Sequence, residues 1–478
     1  MNDTILMTDF YEYTMAYAYF KKGKHEEIGY FDMFARTIPD KGGFMIMNGL
    51  HDLIDFIQNF KYTQQQLDYL RNTGYFDEDF IQYLANMKLD LDVYAIPEGT
   101  PVFANEPLVT VRGKLIQAQL LETILLTYIN YQTLITTKAH RIVAASRSRT
   151  VLEMGARRAH GCDAATVGAR AAYIGGASGS SNTLAGYHYC IPVSGTMAHS
   201  YIQLHDSEYE AFKSYAEVSP NNCTLLVDTY DTLHSGIPNA IRVAHEVLIP
   251  QGYRLNSIRL DSGDLAYLSK KARKMLDEAG LEDCQIVVSN SLDEFLIDDL
   301  IMQDAKIDIF GVGENLITSK SNPVLGGVYK VVAHEKNGII VPKIKISGNI
   351  EKLTNPGFKK IVRFYDKEDG KAIADILALR DEVIDPSEYL LFDPQAPWKQ
   401  KRITNYIIRE LQVPIFTAGK LVYTRPSTEE VRTYCHQQIN TLWDEVKRLR
   451  YPHRYYVDYS QSFFDLKKRL IKENTMKI

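Results

Sequence analysis

Cysteine is scarce in this chain. There are five in 478 residues, at positions 162, 190, 223, 284 and 435, and no two stand in a C-x-x-C spacing. That excludes a disulfide framework and a zinc knuckle, and leaves reduced, mostly buried thiols of a cytoplasmic protein as the expectation. An excess of positive charge is also missing. A formal net charge of −5 argues against a nucleic-acid or anionic-membrane surface, while leaving room for a local basic pocket that takes a phosphorylated small molecule. No apolar run is suited to a bilayer, since the most apolar stretch, 115–129, is interrupted by Gln117, Gln119 and Glu122. The first ten residues lack a basic start and a long apolar core, so no signal peptide is expected. Repeats, low-complexity tracts and long flexible linkers are absent too. What remains, with 45% hydrophobic and 24% charged residues, is an ordinary globular chain long enough for two or three domains.

Between residues 190 and 330, polar or glycine-rich patches recur at the ends of short apolar runs. His199 closes 191–199, Asp228 closes 224–228, and Arg259 with Asp261 closes 257–264. Ser289 and Asn290 follow 285–288, Gly311 and Gly313 follow 307–310, and Gly326 with Gly327 precedes 328–332. Apolar, β-branched runs bounded by Gly, Ser and Asp read as buried strands, and the first spacings match successive βα units. The expected fold class is α/β: an irregular, TIM-like α/β barrel over 114–327, with reactive side chains at the carboxyl ends of its strands.

The flanks read differently. Residues 4–22 have helix-like spacing and an aromatic cluster that includes Tyr11, 92–113 looks like a β-hairpin, and the period is helical from 115 to about 137. Asn337-Gly338 and Asp369-Gly370 are hairpin turn signals between apolar runs. Segments 1–113 and 328–400 are therefore expected to form one discontinuous β-rich α+β domain, with two separate small β modules as the alternative. Residues 401–478 are expected to be a helical segment. There Ser427 and Glu430 suggest a capping box, and Val431, Cys435, Ile439, Leu442, Val446 and Leu449 form one packing face.

Each candidate for chemistry has a bland alternative. The turns at Gly311-Gly313 and Gly326-Gly327 expose backbone N–H groups suited to phosphate, yet a tight turn needs glycine anyway. His199 precedes Asp228 by one strand, and a carboxylate on one ring nitrogen raises the basicity of the other. Arg259 and Asp261 alternate on a strand and share a side, which suits either a mutual salt bridge or the recognition of a carboxylate and of ribose hydroxyls. Arg157 and Arg158 are adjacent cations; with Lys320, Lys343 and Lys345 they are candidates for a diphosphate pocket, although solvated surface charge is the favoured reading of the lysines.

Taken in order, these patches resemble the nicotinate phosphoribosyltransferase family of type II phosphoribosyltransferases. The pieces are 8–15 (TDFYEYTM), 153–158 (EMGARR), 195–200 (GTMAHS), 227–231 (VDTYD), 259–264 (RLDSGD), 311–313 (GVG), 325–330 (LGGVYK) and 352–357 (KLTNPG), running through about three quarters of the chain. The resemblance implies transfer of phosphoribosyl from 5-phosphoribosyl 1-diphosphate to nicotinate in NAD salvage, giving nicotinate mononucleotide and diphosphate. It places His199 at the position phosphorylated by ATP and Asp228 at the carboxylate that orients it. It makes Arg259, Gly195 and Thr196 the nicotinate ligands, with Tyr11 stacking on the ring from the neighbouring subunit of a head-to-tail homodimer. Arg157 and Asp261 would hold phosphoribosyl diphosphate, with Gly313, Thr318, Gly326 and Gly327 around its phosphate. Magnesium would travel with the diphosphate, and no protein-only metal cage is implied. The nicotinamide-specific branch of the same fold is the nearest alternative; it is similar but has an aspartate where this chain has Asn182, and a phenylalanine where it has Met154. A non-catalytic binding protein on the same scaffold is the other, and the presence of both His199 and Arg259 speaks against it. An aldolase-like barrel would need a Schiff-base lysine or a metal cluster at a strand end.

Overall fold

A computed structural model describes residues 4–346 and 353–475, so the first three residues and Lys352 of the 352–357 motif lie outside the described residues. The chain divides into two compact units, Met1–Leu134 with Val324–Ile478, and Ile135–Pro323. The first division, between Leu134 and Ile135, falls about twenty residues beyond the expected boundary at 113/114.

The smaller unit is built on six parallel strands: Thr150–Glu153, Gly179–Ser180, Thr224–Leu226, Ser257–Leu260, Gln285–Ser289 and Ile309–Val312. Helices Cys162–Ile174, Glu208–Val218, Leu265–Glu278 and Glu294–Met302 connect them. The strands are short and carry Leu225, Ile258, Leu260, Ile286, Val288, Phe310 and Val312, all fully buried; runs buried on both faces are the mark of a parallel sheet under helices. Asp264, Asp293 and Ser207 accept backbone N–H bonds and so start three of the helices.

Strand order carries more information than strand count. The last strand, Ile309–Val312, lies between the first, Thr150–Glu153, and Gln285–Ser289. A single parallel bridge, Ser180 to Val193, adds one step beyond Gly179–Ser180. The sequence therefore runs round a ring that is cut in one place, between Val193 and Thr224. Among the described residues no ladder closes that cut, so the fold is α/β with an open parallel array in cyclic order rather than a continuously hydrogen-bonded barrel. The cause is local. The segment 191–199 holds Pro192, which has no N–H to give, and its residues 192–195 are exposed.

The larger unit is chiefly antiparallel. Its seven-stranded sheet runs Ile339–Pro342, Gly327–Lys336, Ile28–Ala35, Val109–Lys114, Leu91–Ala95, Val413–Thr417, Lys420–Leu421. Ile28–Ala35 pairs with Gly327–Lys336 from Ile28 opposite Glu335 to Ala35 opposite Gly327, so segments from both flanks share one sheet. The turn at Asn337-Gly338 has positive φ at both residues, 52° and 76°, as a two-residue hairpin demands. The expectation of a wholly helical segment 401–478 is corrected: strands occupy Tyr406–Glu410, Val413–Thr417 and Lys420–Leu421 before the capping box at Ser427 opens helix Thr428–Asn440. Leu411, Val413 and Ile415 alternate with polar or proline residues, a short strand signal that the overall reading of the segment passed over. No described helix is long and apolar enough to cross a membrane. All five cysteines are free. Cys223, Cys284 and Cys435 are buried, while Cys162 and Cys190 are exposed.

Helix Phe10–Lys21 is tied down by Glu12, whose carboxylate accepts from the Thr123 N–H at 3.1 Å and its hydroxyl at 2.5 Å. Burial pushes the Glu12 pKa from 4.5 up to about 7, with the Thr123 bonds opposing. A raised carboxyl pKa stabilises the fold fully below the unfolded value and loses that contribution as pH rises through the folded one. The thermal midpoint of the wild type minus that of Glu12→Gln should therefore fall between pH 5 and pH 8; a difference that stays constant over that range contradicts the assignment.

Candidate active site

The parallel register places the site. Leu226 lies opposite Arg259, and Arg259 opposite Val287. Two residues further along each strand, Asp228, Asp261 and Ser289 come level, and Ser289 lies opposite Gly311. Alternate residues share a face, so Arg259 stands one layer beneath Asp261 on the same side. At Gly311 a side chain would strike Met154 Sδ at 2.7 Å and reach Ser289 Cβ at 3.5 Å, which explains the glycine.

Asp228 is the most enclosed member, with a side chain 1% exposed. A carboxylate that buried needs partners, and it has three: His199 Nε2 at 3.2 Å on one oxygen, and the Asp261 N–H at 3.0 Å with the Ser262 hydroxyl at 2.6 Å on the other. His199 opens the short helix His199–Gln203 and is not itself a strand residue. Its side chain is 42% exposed. With Nε2–H directed at the carboxylate, Nδ1 keeps its lone pair and is the nitrogen left for an electrophile.

Arg259 uses three nitrogens. Nε donates to Ser289 Oγ at 2.9 Å, Nη1 to Thr196 Oγ1 at 3.1 Å, and Nη2 to Asp261 Oδ1 at 3.1 Å. Ser289 in turn donates to that same Asp261 oxygen. The two readings of Arg259 and Asp261 are thus both partly right: they pair, yet the pair is not closed, since Asp261 is 28% exposed. His199, Asp228, Asp261, Arg259 and Thr196 form one connected network in the smaller unit, joined by Ser289 and Ser262. Those two serines were not among the expected site residues. The signal for Ser289 was its equal register with Asp228 and Asp261, legible once the strands are aligned.

The remaining candidates lie apart from that network. Gly195 is exposed, and a side chain added there would meet nothing within 4 Å. Arg157 is exposed on the short turn Ala156–Arg158, which the buried Glu153 braces by accepting from the Gly155 N–H and from the Ser180 hydroxyl. Burial pushes the Glu153 pKa up, against those bonds. Gly313 caps the one-turn helix Glu314–Ile317, and Thr318 spends its hydroxyl proton on the Glu314 carbonyl at 2.7 Å. Lys320 is paired with Glu314 at 2.6 Å, as the solvated-charge reading has it. Tyr11, Gly326 and Gly327 belong to the larger unit. Tyr11 is 46% exposed, and its hydroxyl pKa is raised by burial and then by Glu122. Gly326-Gly327 starts an antiparallel strand instead of ending a late parallel one, and a side chain at Gly327 would collide with Asn130 Oδ1 at 2.1 Å.

Asn182 caps helix Thr183–Tyr189, accepting from the Ala185 N–H and donating to the Ala165 carbonyl, so its amide is already committed. A cavity of about 990 Å³ lies in the larger unit near Arg36, Phe103, Tyr455 and Lys467, and none of the candidate residues lines it. The one His/Asp cluster at metal-ligand spacing among the described residues, His51 with Asp52 and Asp55, is also in that unit.

Comparison with known proteins agrees with the geometry. Residues 6–130 match the nicotinate phosphoribosyltransferase N-terminal domain, 150–360 the nicotinate phosphoribosyltransferase family, and 358–467 its C-terminal domain. The chain is 46% identical over 471 residues to nicotinate phosphoribosyltransferase of Bacillus subtilis, covering 98% of this chain and 95% of that one. It is 32% identical over 520 residues to the Homo sapiens protein of that name, covering 95% and 94%. The crystal structure of human nicotinic acid phosphoribosyltransferase superposes with a TM-score of 0.86 at 29% identity, over 97% of this chain and all of that one. With a strand-end network of His, Arg and two Asp in the matched region, the chain belongs to the nicotinate phosphoribosyltransferase family and is an enzyme of that type.

Proposed function

We propose that the protein transfers phosphoribosyl from 5-phosphoribosyl 1-diphosphate to the ring nitrogen of nicotinate, releasing diphosphate, and couples the transfer to ATP through a phosphohistidine at His199. The observation that carries this reading is the network itself, in which an exposed imidazole backed by a buried carboxylate sits beside a guanidinium held at three points.

In this reading Arg259 receives the nicotinate carboxylate, with the Thr196 hydroxyl alongside and Gly195 leaving the approach open. Departure of diphosphate develops positive charge at the anomeric carbon, and the exposed oxygen of Asp261 supplies the opposing charge. Arg157, Gly313 and Thr318 receive the phosphates. Gly326 and Gly327 are assigned to the same ligand by family resemblance alone. Magnesium bound to the diphosphate would offset its charge beside Arg157. ATP phosphorylates His199 at Nδ1, while Asp228 stabilises the imidazolium that forms. Tyr11 acts in trans, stacking on the nicotinate of the other subunit in a head-to-tail homodimer; its exposure on helix Phe10–Lys21 supports this.

The nicotinamide-specific reading is less favoured. Asn182 supplies no carboxylate to welcome an amide N–H, and a buried acid facing nicotinate would be repulsive.

Two variants test the assignment. His199→Asn should lose ATPase activity and the acid-labile phosphoryl adduct while keeping some ATP-independent transfer, and an adduct that persists overturns the role. Arg259→Gln should lower kcat/KM for nicotinate by roughly ten- to a hundredfold, the worth of one hydrogen bond to a charged group, and narrow the preference over nicotinamide. Lysine at that position should recover little, because a point charge does not reproduce the planar fork. A full preference retained in Arg259→Gln would mean that the carboxylate is read elsewhere.

A further inference from the structure

We propose that Ser289 is a positioning residue that keeps Arg259 and Asp261 in a one-point contact, leaving each a free edge for a different substrate. This rests on the functional reading above and deepens it.

A guanidinium offers its Nε–Nη2 edge to a carboxylate in two parallel hydrogen bonds, and that bidentate form is the stronger one. Arg259 and Asp261, two apart on one strand, are within reach of it. They do not adopt it. Asp261 Oδ1 takes only Nη2, at 3.1 Å, and the seat at Nε is filled by Ser289 Oγ at 2.9 Å. A hydroxyl has one proton and two lone pairs, and Ser289 uses both kinds, accepting from Arg259 and donating to Asp261 Oδ1. The wedge has two consequences. Asp261 Oδ2 has no hydrogen bond among the described residues, and the Asp261 side chain as a whole is 28% exposed. At the far edge of Arg259, Nη1 meets Thr196 Oγ1, and Nη2 has a second proton besides the one given to Asp261. One edge suits the flat carboxylate of nicotinate, and the free oxygen suits the cationic ribosyl centre.

The fold fixes the wedge firmly. Ser289 is 4% exposed and ends its strand opposite Gly311, which contributes no side chain of its own and leaves the space to Met154 and the serine. The next two residues, Asn290 and Ser291, are left-handed at φ 90° and 52°, a costly conformation for non-glycine residues. Asn315 holds that turn by donating to the Ser291 carbonyl at 2.8 Å. Beyond it, Asp293 caps helix Glu294–Met302, whose buried Glu294 is gripped by Lys138 at 2.7 Å and Arg141 at 3.0 Å.

The test is Ser289→Ala beside Ser289→Thr, read by kinetics and by crystallography. The alanine variant should raise the KM for nicotinate by roughly ten- to a hundredfold, narrow the preference over nicotinamide, and lower kcat as well, because a bidentate Arg259 takes the Asp261 oxygen that faces the ribosyl centre. Threonine, which keeps the hydroxyl, should restore the KM. In crystals of Ser289→Ala, Arg259 should swing to bind Asp261 through both Nε and Nη2. An unchanged KM in the alanine variant, or a guanidinium that stays in place without the hydroxyl, overturns the proposal. Wild-type protein that transfers nothing to nicotinate would instead sink the functional reading, while the crystals would still report on the wedge.

Discussion

One buried carboxylate organises the smaller unit. The cyclic array of parallel strands is cut between Val193 and Thr224, and a cut sheet leaves backbone groups without ladder partners. Asp228 stands at one lip of the cut and His199 a few residues beyond the other. Their contact spans the place where the sheet has no hydrogen bonds of its own, while the Asp228 bonds to the Asp261 N–H and the Ser262 hydroxyl tie it to the neighbouring strand. The residues proposed to carry the chemistry therefore include the pair that joins the seam, and a seam without a rigid ladder leaves His199 accessible.

Charge is arranged with the same economy. At 1% exposure, Asp228 needs hydrogen-bond partners, and three donors supply them. The contact with Nε2 leaves the other imidazole nitrogen facing outward. A second carboxylate, Asp261, is left half satisfied and exposed, and Arg259 lies between Asp261 and Thr196. Two acids and an imidazole, each with a different degree of enclosure, stand in one connected network, which suits the three roles proposed for them.

Much of this was legible in the sequence. Apolar runs ending in Asp, Arg and Ser located parallel strands, because buried strands must be apolar and their ends need not be, whereas the run ending in His199 forms a single bridge at Val193 and no strand. Hairpin turns at Asn337-Gly338 and Asp369-Gly370 and the capping box at Ser427 were readable from turn and cap chemistry alone. Other features were not. Ser289 looked like one more strand-end serine, since its role depends on register between strands, which a linear reading does not supply. Gly326-Gly327 looked like Gly311-Gly313, yet it starts an antiparallel strand in the other unit; glycine spacing does not distinguish a phosphate cradle from a place where Asn130 leaves no room for a side chain. The strands of 406–421 were overlooked because the helical face that follows them dominated the reading of the segment.

The central claim is that Asp228 fixes His199 with its Nε2 protonated and its Nδ1 free. The most direct measurement is imidazole 15N NMR on protein labelled at histidine, with His199 assigned by its loss in His199→Asn. The account predicts the Nε2–H tautomer for neutral His199 in the wild type, and a mixture of tautomers in Asp228→Asn. A wild-type His199 protonated at Nδ1, or a tautomer indifferent to Asp228→Asn, would contradict it.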